Sequence, residues 1–298
     1  MSLQAFLLDK MLRLTLKRRL AKSKDLRTLR DIMEDAACRP PRVPRFISLD
    51  ALELGGVPVE RLTSAATDSS RALIYLHGGG FVAGSPKNHR ALTWRLAKRL
   101  NVPIYAVDYR LAPEHPFPAA LDDVIAVHRA LRKNGIDPKH IAIAGDSAGG
   151  NLTLAAAHKL RELNEPLPCA LIGLSPVTDF LGRFKSRLTN SERDAMFDLS
   201  MFASVVPHYC PGHDGKSPLL SPLRGDWTGM PPLLLLAAES ELLRDDSVEL
   251  AAKARAAGVD VQLEVWPHVF HAWPVLAGLL PEAREAIERM AGFLRARL

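Results

Sequence analysis

The sequence predicts an α/β protein with a mostly parallel central sheet and helices on both faces. Three observations predict it. Six short runs are predominantly apolar: Ala72–Leu76, Val102–Val107, Ile141–Ala144, Cys169–Leu174, Leu233–Ala238 and Val261–Val265. Stretches of helical period separate them at His89–Leu100, Leu121–Lys133, Ala148–Leu163 and Ser247–Ala257, and Pro281–Arg297 closes the chain. The third observation is bulk, since 298 residues at 47% hydrophobic and 24% charged can bury a deep core and shelter a cleft. Strands without a polar face belong where helices cover both sides, which is the parallel arrangement.

Taken in order, the chain opens with Leu3, Phe6, Leu7, Met11 and Leu14 at helical spacing, with Lys10, Arg13, Lys17 and Arg18 among them. An amphipathic basic helix is expected from Ser2, followed by a second up to about Ala37. The proline-rich stretch Arg39–Pro44 ends it, because proline lacks the backbone N–H and clashes with the preceding turn. Phe46–Thr63 holds Gly55-Gly56 between two β-prone runs and reads as a hairpin. The strand–helix alternation follows, interrupted over Phe180–Asp214 by mixed polar and aromatic residues. The expected organisation is a helical segment over residues 1–45 and a main domain over 46–298, with an insertion at about 180–214. There is no internal repeat and no low-complexity tract.

Charge excludes one class of partner. The chain carries 39 Lys and Arg against 33 Asp and Glu, net +6, but residues 1–40 alone hold 10 basic and 5 acidic side chains. What remains is 29 against 28, a nearly even body with a basic arm rather than the basic face of a nucleic-acid binder. Cys38, Cys169 and Cys210 are odd in number without CxxC spacing, so neither a disulfide framework nor a metal site is suggested. Reduced thiols and a cytoplasmic location are expected. Asp9, Lys10, Arg13 and Lys17 break up the start, leaving no uninterrupted apolar region of the kind a secretory signal needs, so none is expected, and no apolar run approaches the ~18–20 residues of a membrane span.

Two glycine-rich loops carry the chemistry. Gly145-Asp146-Ser147-Ala148-Gly149 stands directly after one apolar strand and directly before a helix. A turn this tight presents Ser147 in a strained conformation, with glycine neighbours to avoid clashes, as a nucleophile requires. His77-Gly78-Gly79-Gly80 ends another strand. There, backbone amides can approach the oxygen on which an acyl-transfer intermediate develops charge, and the helix starting at Ala148 adds another N–H. Position 83 is alanine where a dinucleotide fingerprint needs glycine, and no P-loop lysine follows. A serine hydroxyl needs a general base and an acid to orient it. In hydrolases of this layout they follow the nucleophile as acid, then histidine. The loop after Leu233–Ala238 offers Glu239, Glu241, Asp245 and Asp246; the loop after Val261–Val265 offers His268 and His271.

Together with DYRLAPEHPFPAALDD at Asp108–Asp123, SPVTD at Ser175–Asp179, SPL at Ser221–Leu223, LLRDD at Leu242–Asp246 and the closing HVFHAW, these motifs resemble the bacterial hormone-sensitive-lipase-like esterases of the α/β-hydrolase fold, from about Leu73 to the C-terminus. The resemblance implies Ser147 as nucleophile, His271 as base and an oxyanion hole of the Gly79, Gly80 and Ala148 amides. Most members place the acid in a D-P-L-R-D-E string, whereas this chain reads Glu241-Leu242-Leu243-Arg244-Asp245-Asp246. Position by position the acid falls on Glu241, with Asp245 as the alternative, because geometry defines the role. Asp108, Tyr109 and Arg110 are expected in a structural loop held by ion pairs, and Asp146 as a residue that fixes the nucleophile's loop.

In this family the N-terminal helices and the insertion form a cap over the site. Phe81, Met196, Phe197, Met201, Phe202 and Trp273 are candidates to line the pocket, with Phe81, Phe202 and Trp273 foremost. The reading is a carboxylesterase for small esters with no metal or organic cofactor. Lactonase, amidase, deacetylase and acyltransferase chemistry would share the same triad. A non-catalytic binding relative would have lost it, whereas Ser147, His271 and an acid are retained. The basic arm is either a cap helix with a solvated charged face or a peripheral membrane-surface helix. Oligomeric state stays open, a homodimer included.

Overall fold

A computed structural model describes residues 2–23, 25–36 and 41–298, with the side chains of 34–36, 202 and 203 outside the description. Cys38 and the start of the proline-rich stretch, Arg39 and Pro40, lie outside the described residues. Eight strands form one sheet: β1 (Ile47–Leu54), β2 (Val57–Ser64), β3 (Ala72–Leu76), β4 (Ile104–Val107), β5 (Ile141–Asp146), β6 (Ala170–Leu174), β7 (Leu233–Ala238) and β8 (Val261–Trp266). Their order is β1-β2-β4-β3-β5-β6-β7-β8. The β1–β2 hairpin turns at Gly55-Gly56 and joins β4 antiparallel, and every other pairing is parallel. Strands β3, β4, β5, β6 and β7 are buried along their whole length, which is why they read as unbroken apolar runs.

The main-domain helices are α4 (Arg90–Leu100), α5 (Ala119–Lys133), α6 (Ala148–Glu162), α9 (Arg244–Ala256) and α10 (Pro281–Arg295). The chain moves one way from β3 to β4 and the opposite way from β4 to β6, so right-handed crossovers place α4 on one face and α5 and α6 on the other. The packing agrees: α4 meets α10, and α5 meets α6. Most boundaries differ from expectation by one or two residues. The largest shift is α9, which starts at Arg244 rather than Ser247 and has Asp245 and Asp246 in its first turn. Carboxylates there complement the free amides of a helix start.

The N-terminal arm differs more. It forms α1 (Leu3–Leu12), a π-helical stretch at Arg13–Lys17, α2 (Arg18–Ala21) and α3 (Leu26–Ala36). Ser2 caps α1 through the Ala5 N–H at 3.1 Å and is anchored to Glu282 of α10 at 2.6 and 2.9 Å. Ala5, Leu12, Leu16 and Leu20, with Leu29 and Ile32 of α3, are the buried side chains among the described residues of the arm, while Leu3, Phe6, Leu7, Met11 and Leu14 stand 42–70% exposed. The expected apolar face is thus the outer one, and a second apolar stripe faces the protein. Two short helices, α7 (Lys185–Thr189) and α8 (Leu199–Tyr209), lie within residues 180–214.

Candidate active site

The parallel register sets the loops beside one another. Leu76 of β3 is level with Gly145 of β5, and Ala238 of β7 with Trp266 of β8, so the loops after these strands leave the same carboxyl edge of the sheet. Ligands in open α/β sheets bind outside that edge. Ser147 sits between β5 and α6 at φ +53°, ψ −115°, a conformation costly for a residue with a Cβ and held only by its surroundings. Its N–H donates to the Leu174 carbonyl at 2.8 Å, which ties the turn to β6. The flanking glycines are steric necessities. A Cβ on Gly145 would lie 2.3 Å from the Gly149 carbonyl oxygen, and one on Gly149 only 2.0 Å from that of Leu76.

The loop after β3 runs beside this turn. Gly79 takes φ +131°, and a Cβ there would meet the Ala83 carbonyl oxygen at 2.0 Å, so no other residue fits. Among the described residues the amides of Gly79 and Gly80 donate to no protein acceptor, and Ala148 is the first residue of α6, whose N–H has no partner within the helix. Gly79, Gly80, Ser147, Ala148 and His271 all line one cavity of about 290 Å³.

Of the four carboxylates after β7, one reaches the imidazole. Glu241 Oε2 lies 2.8 Å from His271 Nδ1, both side chains being buried. Glu239 is exposed, Asp245 accepts from the Ser186 N–H and Arg244, and Asp246 is paired with Arg187 at 2.6 Å. His268 is exposed in its turn. Burial raises the Glu241 pKa, with the His271 hydrogen bond and charge only partly opposing it. Burial would lower the His271 pKa, but the Glu241 hydrogen bond and charge outweigh it, so the net direction is upward. With Nδ1–H donating to the carboxylate, Nε2 carries the lone pair and has no protein partner among the described residues.

Several residues that sequence reasoning missed hold this pair. Glu241 Oε1 accepts from the Ala238 N–H at 3.0 Å, and the Ser175 hydroxyl bonds the same carboxylate while accepting from the Ala272 N–H at 3.1 Å. From the insertion, Asn190 donates to the Glu239 and Glu241 carbonyls, and Asp194 accepts from the Leu242 N–H at 2.8 Å. The other oxygen of Asp194 accepts from the amides of Met196 and Phe197, and the Phe197 ring stands edge-on to His271 at 4.9 Å. Polar residues in irregular chain leave no periodic signal, and only their long-range partners reveal them.

Asp146 accepts from the Tyr75 hydroxyl at 2.7 Å and pairs with His89 at 3.1 Å, next to Ser147. Burial alone would raise its pKa, but His89 and Tyr75 bring it below the ordinary carboxylate value. Arg110 pairs with buried Asp123 at 2.7 Å and the Tyr109 hydroxyl donates to the His77 carbonyl at 2.6 Å, whereas Asp108 is exposed and has no ion pair among the described residues. Among the described residues no His, Cys, Asp and Glu side chains cluster to hold a metal ion.

The pocket's outer wall is built from the arm and the insertion. Leu12, Leu16, Leu20 and Met33 from the arm and Met196, Phe197, Met201 and Val205 from the insertion line it, together with Phe81 of the glycine loop. Phe81 stacks on Tyr209 at 3.7 Å. Trp273 corrects an expectation: Ala272 takes φ +50°, and the turn at Trp273–Leu276 carries the indole into the core, 5.5 Å from the Trp266 ring and away from the cavity wall. The Phe202 side chain lies outside the described residues. Arg13 and Lys17 turn inward, Lys17 donating to the carbonyls of Ser191 at 2.6 Å and Asp194 at 2.7 Å and Arg13 to that of Glu192 at 3.0 Å. Arg30 of α3 donates to the carbonyls of Val82 and Ala112, beyond the glycine loop.

A family profile described as alpha/beta hydrolase fold matches residues 73–275. A crystal structure of an esterase from the bacterial hormone-sensitive lipase family superposes with a TM-score of 0.93 at 37% identity, covering 100% of this chain and 99% of that one. The chain is an α/β-hydrolase of the bacterial hormone-sensitive lipase family. Other proteins are similar to this chain over most of their length. An acetyl-hydrolase of Streptomyces hygroscopicus is 39% identical over 246 residues, 83% of this chain and 82% of that protein. The structure of EstE5 soaked with p-nitrophenyl butyrate matches at 34% identity and a TM-score of 0.93, covering 100% and 99% of the two chains. This α/β-hydrolase therefore shares its whole architecture, arm and insertion included, with esterases of known structure.

Proposed function

We propose that this α/β-hydrolase is a serine carboxylesterase that cleaves small, short-chain esters through an acyl-enzyme. The observation that carries the reading is the buried Glu241–His271 contact of 2.8 Å, with an unpartnered Nε2, on the same cavity as the strained Ser147 and the free loop amides. His271 Nε2 takes the Ser147 proton as Oγ attacks the ester carbonyl. The oxygen that becomes negative is received by the N–H groups of Gly79, Gly80 and Ala148, preorganised by glycine geometry and the start of α6. His271 returns the proton to the departing alcohol, then activates water to release the acid and restore Ser147. Glu241 stays ionised and stabilises the imidazolium in each half-reaction.

Residues 1–45 and about 180–214 act as a cap that excludes water and supplies a largely apolar pocket, with Phe81 and Phe197 near the reacting atoms. The acetyl-hydrolase relative and the butyrate ester soaked into EstE5 support a short acyl group. Stopped-flow hydrolysis of p-nitrophenyl butyrate tests the mechanism. A burst of p-nitrophenol equal to the enzyme concentration, absent in Ser147→Ala, is expected where deacylation limits turnover. Labelling of Ser147 by a phosphonate inhibitor covers the case where it does not. Turnover or labelling that survives Ser147→Ala would overturn the proposal.

A further inference from the structure

Among the described residues twelve large hydrophobic side chains stand exposed, and eight of them lie in the arm or in the insertion. Five of them, Leu3, Phe6, Leu7, Met11 and Leu14, form one stripe along the first helix, opposite the stripe that includes Leu12, Leu16 and Leu20 on the cavity wall. The other three, Leu181, Leu188 and Leu199, belong to the segment whose backbone Arg13 and Lys17 hold. A stripe of five large apolar groups left in water is unfavourable, and such a patch marks a surface that something covers.

The charges on the same face say what covers it. At 100° per residue Lys10 falls within the exposed stripe of α1, and Arg18 stands exposed just beyond the π-helical stretch. Lys10, Arg18 and Lys22 are exposed and form no ion pair among the described residues, and Lys10 lies over the Phe6 ring at 5.3 Å. Arg13 and Lys17, by contrast, are engaged by backbone carbonyls of the insertion, Arg13 also pairing with Asp9. From Lys10 to Arg30 there are nine basic residues and one acidic. An apolar stripe interleaved with unpaired cations suits the headgroup boundary of an anionic bilayer, where leucine and phenylalanine enter the acyl region and lysine and arginine meet phosphate.

We propose that the outer face of the first helix docks the enzyme on an anionic lipid surface, so that one helix carries a lipid-facing stripe on one side and part of the pocket wall on the other. Among the described residues no helix is long and apolar enough to cross a membrane, so the contact is peripheral. The proposal stands apart from the esterase chemistry, since binding is scored without turnover.

Co-sedimentation of the full chain with vesicles of phosphatidylcholine alone, or of phosphatidylcholine with phosphatidylglycerol, is the test. The wild type is expected to sediment with the anionic vesicles, to stay in solution with the zwitterionic ones, and to be released by salt. Leu7→Glu/Leu14→Glu is expected to lower the partition coefficient about tenfold or more, and Lys10→Glu/Arg18→Glu to remove the preference for anionic lipid. These side chains are exposed and outside the catalytic pocket, so p-nitrophenyl butyrate hydrolysis in solution should not change and reports that each variant is folded. Absence of wild-type binding, or equal binding by both variants, overturns the proposal. So does a wild-type dimer that becomes a monomer in Leu7→Glu/Leu14→Glu without any lipid binding, which would assign the face to a second copy of the chain.

Discussion

The two walls of the pocket are held by different means. On the sheet side, Ser147 and the glycine loop are fixed by backbone: parallel register, a left-handed serine, and atoms so close that a single added Cβ would overlap a carbonyl oxygen. On the outer side, the arm and insertion are held by side chains reaching backbone, with Arg13, Lys17, Arg30, Asn190 and Asp194 supplying the links. Backbone fixation leaves little freedom, as a reaction geometry requires. Arg13, Lys17 and Arg30 touch only the outer wall and are separately replaceable, whereas Asn190 and Asp194 also hold the backbone on either side of Glu241 and tie that wall to the chemistry.

The sharpest contrast comes from removing the base's support on one side and a tether on the other. Ser147→Ala or His271→Ala should lower kcat by about 10⁴-fold or more, Ser147→Ala with little change in Tm and His271→Ala with a lower Tm, because it leaves buried Glu241 without its partner. Glu241→Gln should lower kcat by ~10³–10⁴-fold, whereas Asp245→Asn, away from the imidazole, should stay within about threefold. Equal losses in these last two would place the acid elsewhere.

The pH profile sharpens the same point. The base must be neutral to act, and Glu241 raises the pKa of His271 against the opposing effect of burial, so kcat/KM should rise with pH through a limb above the ordinary imidazole value. Residual activity in Glu241→Gln should show that limb displaced to lower pH, since the carboxylate charge that favours imidazolium is gone. A limb that stays in place or moves upward would contradict the assignment.

On the outer wall the effects should be smaller and fall on binding. Lys17→Met removes donors to the Ser191 and Asp194 carbonyls, and should raise KM for a butyrate ester by about threefold to tenfold while kcat changes less than twofold. The smallest effect belongs to Trp273→Phe, a core substitution away from the cavity, which should lower Tm slightly and leave KM unchanged. A KM shift there would return Trp273 to the pocket.

The division between backbone and tether also governs what could be read from the residues alone. Buried parallel strands need apolar side chains at every position, and tight loops need glycine, so β3, β5, Gly79, Gly145 and Ser147 leave local marks. Loop order narrows the base to two histidines; the motif string favours Glu241 over Asp245, and it is Glu241 whose carboxylate lies 2.8 Å from His271. Ser175, Asn190 and Asp194 act on residues far along the chain from irregular backbone, where no period betrays them. The arm misleads for a related reason. Its helix has apolar residues on two sides, and helical spacing alone assigns neither to the interior.

Because Leu12, Leu16 and Leu20 are part of the pocket wall, seating the first helix and filling the cavity are thermodynamically linked. An acyl group in the cavity adds contacts to the helix's inner stripe only while the helix is docked, and so shifts the balance away from detached conformations. Amide hydrogens of the arm should accordingly exchange more slowly when a non-hydrolysable ester analogue is bound, and a protease should nick that segment less often. The first element of the chain would then serve as a reporter of occupancy at a serine more than a hundred residues further along.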